Sequence, residues 1–301
     1  MEFYSHGKVL LTAEYAVLEG VKAVALPTQK GQSLEIINTT DNCIHWKSYT
    51  SDDQCWIDLC FDTNFNCITA KNTTEELIQA VQQFLNCLNE LSPAFYGNGC
   101  QLITQLEFPL DWGLGSSSTL INNLAQWLKL NPYELLDKTM GGSGYDIAAA
   151  QHSMPIFYER NGYYPKVTPT SFSPIFKEHL FFVHLNQKQN SRNAIANYRR
   201  KAQINTESKN RLASISEEIL KVKKLADFSN LIEEHETITA DFLQQSPVKK
   251  QLFPDYNGAV KSLGAWGGDF VLVTGNYPES KAYFESKGYA TIIPYKDFIL
   301  G

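Results

Sequence analysis

Two glycines and three serines stand together where a predicted strand turns into a predicted helix. Gly113 and Gly115 follow the apolar residues 102–108, and the serines 116–118 lead into a helix over residues 120–130. Glycines let a backbone approach a phosphate closely, and the first-turn N–H groups of a helix attract anions. A serine hydroxyl there can also bind Mg²⁺. The stretch indicates a phosphate site, and a glycine turn capped by serine is the alternative.

A second glycine-rich segment surrounds a single aspartate. Gly141, Gly142 and Gly144 precede Asp146, and a run of small residues that predicts a helix follows it. A carboxylate held beside such a loop could accept the proton of an attacking hydroxyl group. Aspartate is also a favourable helix cap, so the segment alone leaves both roles open.

Charged residues in apolar surroundings form a third group of candidates. Lys8 and Glu14 lie in an otherwise apolar segment near the N-terminus, where an exposed lysine and a solvated turn glutamate are the alternative reading. Lys188, Ser191 and Arg192 lie where a predicted strand turns into a helix, which is a common place for ligand contacts. A further glycine loop, residues 264–268, precedes the predicted strand over residues 270–273.

Composition limits the classes of protein that these residues could serve. The 301-residue chain is 43% hydrophobic and 19% charged, with a formal net charge of −6. This balance is ordinary for a globular protein and argues against a general affinity for nucleic acid or anionic membranes. The N-terminal residues lack the layout of a signal peptide, and no apolar run is long enough to span a membrane. We therefore expect a cytoplasmic protein without a membrane or nucleic-acid partner.

The six cysteines all lie between residues 43 and 100. They show no Cys-x-x-Cys spacing, and among the histidines only His45 is close to them in sequence. Such spacing favours reduced thiols over a disulfide framework or a zinc site.

The elements that must position these residues follow from hydrophobic periodicity. Strands are expected over residues 3–11, 23–26, 97–108, 180–185, 270–273 and 290–293, with antiparallel hairpins between residues 33 and 61. Helices are expected over residues 74–91, 120–130 and 132–138, and from residue 192 or 193. Two long helices between residues 208 and 243 should break at 226–229, helical character should continue over 255–262, and a last helix should span 281–287. The pattern predicts a mixed chain with a domain change between residues 165 and 175.

Taken together, the motifs resemble those of the GHMP kinase superfamily. Residues 8–17, 113–118 and 264–268 are similar to its three motifs in the same order, and the resemblance spans nearly the whole chain. The first motif is similar to the form found in mevalonate and phosphomevalonate kinases, since galactokinases carry arginine where Lys8 stands. Gly142, Ser143, Gly144, Tyr145 and Asp146 are similar to the segment that holds the catalytic aspartate in those two kinases.

The resemblance implies an α+β fold with two domains. Residues 1–170 would form an ATP-binding domain of the ribosomal protein S5 domain 2 type, and residues 171–301 a ferredoxin-like domain. ATP and the acceptor would meet between them. The implied activity is transfer of the γ-phosphoryl group of ATP, with Mg²⁺, to mevalonate or phosphomevalonate in isoprenoid precursor synthesis. The expected partner is a small acidic substrate. A homodimer of this chain is also expected.

The resemblance also assigns roles to residues. Asp146 and Lys8 would be catalytic. Asp146 would orient or deprotonate the acceptor hydroxyl, and Lys8 would keep Asp146 ionised. Residues that would hold ATP are Gly113, Leu114, Gly115, Ser116, Ser117 and Ser118. Residues that would bind the substrate are Glu14, Lys188, Ser191, Arg192, Gly264, Ala265, Gly267 and Gly268. Ser117, Glu134 and Asp137 are the candidate Mg²⁺ ligands.

Several positions depart from the family pattern. Leu135 stands where mevalonate kinases carry a Mg²⁺-binding glutamate, which leaves Glu134 and Asp137 as neighbouring substitutes. His6 replaces a proline, and Ala13 and Trp266 each replace a glycine. A kinase for a sugar or homoserine, or a nucleotide-binding protein of this fold without catalysis, therefore remains an alternative.

Overall fold

The computed structural model describes residues 1–188, 191–201 and 203–301 of the chain. Strands and helices are mixed, so the α+β class predicted from the sequence is confirmed. The chain forms two units: the first comprises residues 1–7, 30–110 and 115–151, and the second comprises residues 8–29, 111–114 and 152–301. The predicted domain boundary between residues 170 and 171 is not an edge of either unit and stays a prediction. None of the helices in the described ranges combines the length and hydropathy of a membrane span.

The described strands are short except for one, which is shared by the two units. In chain order they are β1 (Glu2–Leu10), β2 (Ala23–Asn38), β3 (Ile44–Tyr49), β4 (Cys55–Phe61), β5 (Cys67–Lys71), β6 (Cys100–Leu106), β7 (Ile156–Glu159), β8 (Lys166–Pro169), β9 (Leu180–His184), β10 (Val260–Ser262), β11 (Phe270–Thr274) and β12 (Ile292–Pro294).

The described helices are distributed over both units. They are α1 (Glu75–Leu91), α2 (Ser116–Leu128), α3 (Pro132–Thr139), α4 (Tyr145–Ala150), α5 (Ser191–Lys201), α6 (Thr206–Glu218), α7 (Leu225–Leu243), α8 (Val248–Leu252), α9 (Tyr277–Ser286) and α10 (Tyr295–Phe298). Helix α1 begins where the sequence predicts, because the Thr74 hydroxyl accepts the N–H of Leu77.

The first unit is built on strands in the order β5-β4-β3-β6-β2, in which β3 and β6 are parallel and the other neighbours antiparallel. Strand β3 alternates buried and half-buried residues, so one face of the sheet packs and the other stays accessible. The packed face contributes Trp46 and Phe61 to a core that also receives Phe84 and Leu88 of α1. The helices α2, α3 and α4 contribute to the same core, which fixes the segments that carry the candidate residues.

The second unit contains a sheet in the order β10-β11-β9-β12, with every neighbour antiparallel. All five residues of β9 and of β11 are buried, which explains why both strands read as continuous apolar runs. Phe181, Phe253 and Phe284 belong to the core of this unit. The hairpin of β7 and β8 pairs with the first residues of β2.

Three predicted boundaries are wrong. Pro27 does not end a strand, because β2 continues through it between the residues that pair with β7 and those that pair with β6. Proline is tolerated in a strand where the ladder needs no donor. The break between α6 and α7 lies at residues 219–224, since Phe228 belongs to the buried face of α7. Residues 255–262 do not continue a helix, and their last three residues form β10. Before this strand the backbone at Gly258 approaches the Thr274 carbonyl so closely that a Cβ atom would lie 1.8 Å from its oxygen.

Candidate functional site

The start of α2 presents the glycine and serine stretch as the sequence predicts. Gly115 precedes the helix with a left-handed backbone at φ 89° and ψ 42°, and Gly113 has φ 65°. These angles favour glycine, because a side chain in the left-handed region is strained. Ser117 is exposed in the first turn, whereas Ser118 is buried. The first-turn amides and the Ser117 hydroxyl therefore fit an oxygen-rich anion and its metal ion.

Ser118 connects this helix start to the predicted catalytic aspartate. Its hydroxyl donates a hydrogen bond of 2.7 Å to Oδ2 of Asp146, which lies in the first turn of α4. The other carboxylate oxygen, Oδ1, accepts the N–H of Ile147 at 3.2 Å. Two segments that the sequence only suggests separately are thus joined within the first unit. Their joint use in catalysis stays a prediction.

Helix α3 carries both carboxylates that were proposed to bind Mg²⁺. Burial raises the pKa of Tyr133 in the same helix, and the charge of Asp146 adds to the shift. Asp137 follows Tyr133 by four residues and therefore lies on the same helix face. Burial raises the pKa of the Cys87 thiol in α1, the charges of Glu90 and Glu134 add to the shift, and Lys138 pairs with Glu90 at 4.0 Å. Both Glu134 and Asp137 stay predicted Mg²⁺ ligands.

A buried polar network holds α2 from behind. The Ser5 hydroxyl donates to Oδ1 of Asn123 at 2.6 Å, and Asn122 donates to the Ser5 hydroxyl at 2.8 Å. Gln151 donates to Asn122 at 3.0 Å, and the Thr119 hydroxyl donates to the side chain of Gln32 at 2.6 Å. Because buried amides are costly without partners, this network fixes the rotation of α2 about its axis.

Lys8 holds the first part of the glycine loop in the second unit. Its Nζ donates to the carbonyl oxygen of Gly113 at 2.9 Å, and its backbone N–H donates to that of Leu114 at 3.1 Å. Lys8 therefore positions the loop, an additional role that the motif alone did not reveal. Its predicted pairing with Asp146 stays a prediction.

Substituting Gly113 with alanine tests how closely this loop is packed. A Cβ atom on Gly113 would lie 2.3 Å from Cγ of Asp269, so the loop or the carboxylate must move. Gly162 has a similar positive φ, 52°, and open space around its Cβ position, which makes Gly162→Ala the matched control. We expect Gly113→Ala to lower the free energy of unfolding by about 1–3 kcal/mol more than the control in urea titrations. Equal losses would contradict the packing.

Glu14 and Lys261 form the centre of a buried charged cluster in the second unit. Both side chains are fully buried, and Lys261 Nζ lies 2.7 Å from Oε1 of Glu14 and 3.4 Å from Oε1 of Glu236. Glu236 also accepts from the Ser262 hydroxyl at 2.8 Å and from the Trp266 indole N–H at 3.2 Å. The cluster joins the first and third predicted motifs. The prediction that Glu14 contacts the substrate stays a prediction.

His235 completes this cluster without carrying a charge. Its Nε2 accepts the Ala13 N–H at 2.7 Å and lies 3.3 Å from Oε2 of Glu14. Burial holds the pKa of His235 well below its ordinary value, and the charge of Lys261 adds to the effect. The ring is therefore neutral. The cluster then holds two carboxyl groups and one ammonium group. Burial raises the pKa of both glutamates.

The cluster predicts an unusual dependence of stability on pH. Burial raises the pKa of Glu14 to about 7, only partly offset by Lys261, so the folded protein retains a proton that the unfolded chain releases near pH 4.5. This stabilising contribution is complete below the unfolded pKa and is lost as pH rises through about 7. Relative to Glu14→Gln, we expect the wild-type free energy of unfolding to fall by roughly 1 kcal/mol per pH unit between about pH 5 and 7. Parallel curves in urea titrations would contradict the assignment.

The two positions where the resemblance leads us to expect glycine keep a glycine-like backbone. Ala13 has φ 63° and Trp266 has φ 55°, both in the left-handed region. The Trp266 side chain is buried and bonded to Glu236, and the Ala265 carbonyl accepts the Tyr15 hydroxyl at 2.8 Å. The cluster therefore holds the third glycine loop in a conformation that its sequence does not favour.

Gln187 links the predicted substrate loop to the third glycine loop. Its side chain donates to the Gly267 carbonyl at 2.6 Å, and its own carbonyl accepts the N–H of Asp269 at 2.8 Å. Lys188, the next residue, is exposed. The side chains of Ser191 and Arg192 lie outside the described residues, so their predicted substrate contacts stay predictions.

Sequence reasoning missed Tyr133, Gln187, His235, Glu236 and Lys261. For one of them a signal was available: His235 follows Phe228 by seven residues, which places it on the buried face of α7. A histidine on an apolar helix face must find buried partners. The others depend on contacts between distant segments, which periodicity does not contain.

Comparison with known proteins places the chain by its fold. No protein-family model matches it, and no curated protein matches it. A solved Lin0012 protein from Listeria innocua matches with a TM-score of 0.72 at 15% identity, covering 100% of this chain and 97% of that chain.

Two solved kinases match over a similar extent. Phosphomevalonate kinase from Streptococcus pneumoniae, in complex with phosphomevalonate and AMPPNP, has a TM-score of 0.70 at 15% identity, covering 96% of this chain and 97% of its own. Mevalonate kinase from Methanococcus jannaschii has a TM-score of 0.66 at 16% identity, covering 97% and 96%. These likenesses confirm the predicted fold.

Proposed function

We propose that this chain, which has the fold of the GHMP kinases, transfers the γ-phosphoryl group of ATP to a small alcohol or phosphate acceptor. The observation that carries the proposal is the 2.7 Å hydrogen bond from Ser118 to Asp146. It joins the helix start suited to phosphates with the carboxylate suited to the acceptor hydroxyl. The solved phosphomevalonate kinase that binds AMPPNP supports ATP as the donor.

In this proposal, each part that phosphoryl transfer needs is assigned to named residues. The amides of residues 115–118 would hold the phosphates of ATP, and Ser117 and Asp137 would hold Mg²⁺. When bound, Mg²⁺ neutralises charge on the phosphates. Asp146 would accept the proton of the acceptor hydroxyl, while Ser118 holds one of its oxygens and so fixes the direction of the other. Lys8 would stabilise developing charge.

The burial of Leu135 supports a neighbouring carboxylate as the proposed Mg²⁺ ligand. Its side chain is fully buried in the core of the first unit, so this position cannot present a ligand. We expect Asp137→Asn to raise the Mg²⁺ concentration for half-maximal activity at least about tenfold. Glu134→Gln, on the face toward α1, should leave that concentration unchanged. The reverse order in a Mg²⁺ titration of ATP turnover would assign the role to Glu134.

Mevalonate or phosphomevalonate is the proposed acceptor, in isoprenoid precursor synthesis in the cytoplasm. The form of the first motif, with Lys8 where galactokinases carry arginine, supports this choice, and so do the two matching kinases. Lys188 and Arg192 would bind the acidic group of the substrate, with Gly264, Ala265, Gly267 and Gly268 lining the loop beside it. A homodimer remains part of the proposal.

An acceptor panel with ATP and Mg²⁺, measured by coupled ADP release, tests the function. We expect turnover with mevalonate or phosphomevalonate and none above background with galactose or homoserine. Turnover with a sugar or homoserine instead would replace the acceptor and keep the kinase. If Mg·ATP binds by calorimetry and no acceptor is phosphorylated, the chain is a nucleotide-binding protein without catalysis.

A further inference from the structure

Cys43, His45 and Cys60 come together in the first unit, and none of them is among the residues assigned above. Strands β3 and β4 are antiparallel, and their register places His45 directly opposite Cys60. Cys43 precedes His45 by two residues, so its side chain leaves the same side of the chain. One ring nitrogen of His45 and the two Sγ atoms all lie within 4.8 Å of one another. All three thiol and imidazole groups therefore face one point.

This cluster lies on the face of the sheet that does not pack against the helices. Ile44 and Trp46 alternate with His45 and are buried in the core, as are Leu59 and Phe61 on either side of Cys60. The three cluster residues are half-buried. An ion could reach them from solvent while the sheet backbone holds their Cα positions rigid.

Asp41 orients the histidine from outside the cluster. Its Oδ2 lies 2.7 Å from Nε2 of His45, and its Oδ1 accepts the Thr39 hydroxyl at 2.8 Å and the Cys43 N–H at 3.2 Å. When a carboxylate holds one ring nitrogen of a histidine, the other nitrogen is the one that can bind a metal ion. The backbone contact also ties Asp41 to a cysteine of the same cluster.

A further cysteine lies on the neighbouring strand, outside the group of three. The register of β4 with β5 pairs Cys60 with Thr69 and Phe61 with Cys67, and it shifts between the two pairs. Such an irregularity bends the strand and turns side chains locally. Cys67 is an exposed free thiol at this point. Its sulfur donates to the carbonyl of Thr69 at 3.4 Å, so either a water molecule or Cys67 released from that contact would complete four-fold coordination.

We propose that Cys43, His45 and Cys60 bind one zinc ion, independently of the proposed kinase function. Thiolates and imidazole select zinc over magnesium or calcium. With Zn–S bonds of about 2.3 Å, tetrahedral sulfur ligands lie roughly 3.8 Å apart, so the side chains need to approach by only about 1 Å. Binding releases the two thiol protons to solvent, and the two thiolates balance the charge of Zn²⁺.

A cobalt titration of the full chain tests the site. Metal-free protein, reduced with a phosphine, is titrated with Co²⁺, whose thiolate charge-transfer and ligand-field bands report tetrahedral sulfur coordination. We expect one Co²⁺ per chain, displaced by one Zn²⁺, and a higher Tm with Zn²⁺. Cys60→Ser and His45→Ala should weaken binding at least about tenfold and remove the Tm shift.

Cys55→Ser is the matched control for these variants. Cys55 lies on β4 as Cys60 does, but it pairs with Tyr49, four residues along β3 from His45, and its sulfur donates to the carbonyl of Ile57 at 3.3 Å. This variant should bind Co²⁺ as the wild type does. The proposal is overturned if the wild type binds no Co²⁺ or Zn²⁺ under reducing conditions, or if Cys60→Ser binds equally well. It is also overturned if mass spectrometry finds a Cys43–Cys60 disulfide in the protein before reduction and the reduced protein then takes up no metal.

Discussion

Replacing Lys261 with methionine is expected to lower the free energy of unfolding by about 3–5 kcal/mol. The ammonium group is fully buried between Glu14 and Glu236, and its removal leaves two buried carboxyl groups without a counter-charge. Burial then forces proton uptake, so the loss should be greater at pH 8 than at pH 5. Urea unfolding at both pH values measures it.

Lys249→Met is the control for this result. Lys249 pairs with Glu233 at 2.7 Å, but both side chains are partly exposed, and such pairs contribute under about 1 kcal/mol. The double variant Lys261→Met with Glu14→Gln should recover part of the loss, because it removes one of the two unpaired carboxylates. If Lys261→Met and Lys249→Met cost the same, the buried cluster does not contribute as the geometry implies.

Replacing Asp146 with asparagine is expected to lower kcat by about a thousandfold or more while the fold stays intact. The amide keeps the size of the side chain and can still accept the Ser118 hydroxyl, but it cannot take up a proton. KM for ATP should change little, since the phosphates are held by the start of α2. Steady-state rates with the active acceptor give both parameters, and circular dichroism checks the fold.

Asp58→Asn is the matched control, because Asp58 is half-buried as Asp146 is and lies on β4. It should keep wild-type kcat. Near-normal turnover by Asp146→Asn would remove this aspartate from the mechanism. For Ser118→Ala we expect a smaller fall in kcat. Asp146 then loses the hydrogen bond that orients it, but its carboxylate is retained.

The fold could be predicted from the sequence to a considerable extent, because the signals for its elements are local. Thr74 marks the start of α1, and the unbroken apolar runs of β9 and β11 mark buried strands. Pro27 misled the prediction, since its effect depends on whether a neighbouring strand needs its missing N–H. That information lies in the pairing of β2 and not in the residue.

The site was predictable in its motifs and not in its contacts. The glycine and serine stretch and Asp146 have recognisable types and spacing, whereas Lys261 gives no local sign that it is buried beside Glu14. The cysteines are a second case in which the sequence spacing did not predict the contacts. Their spacing favours unrelated thiols, yet the register of β3 with β4 brings Cys43 and Cys60 to one histidine.

The polar network behind α2 has a consequence for attempts to transplant the phosphate loop into another scaffold. A one-residue slip turns a helix by about 100°, which would direct Ser118 away from Asp146 and leave Asn122 and Asn123 facing apolar surroundings. A graft of residues 113–119 alone therefore carries the loop without the parts that set its angle. Ser5, Gln32 and Gln151 lie far away in sequence and would have to be moved together with it.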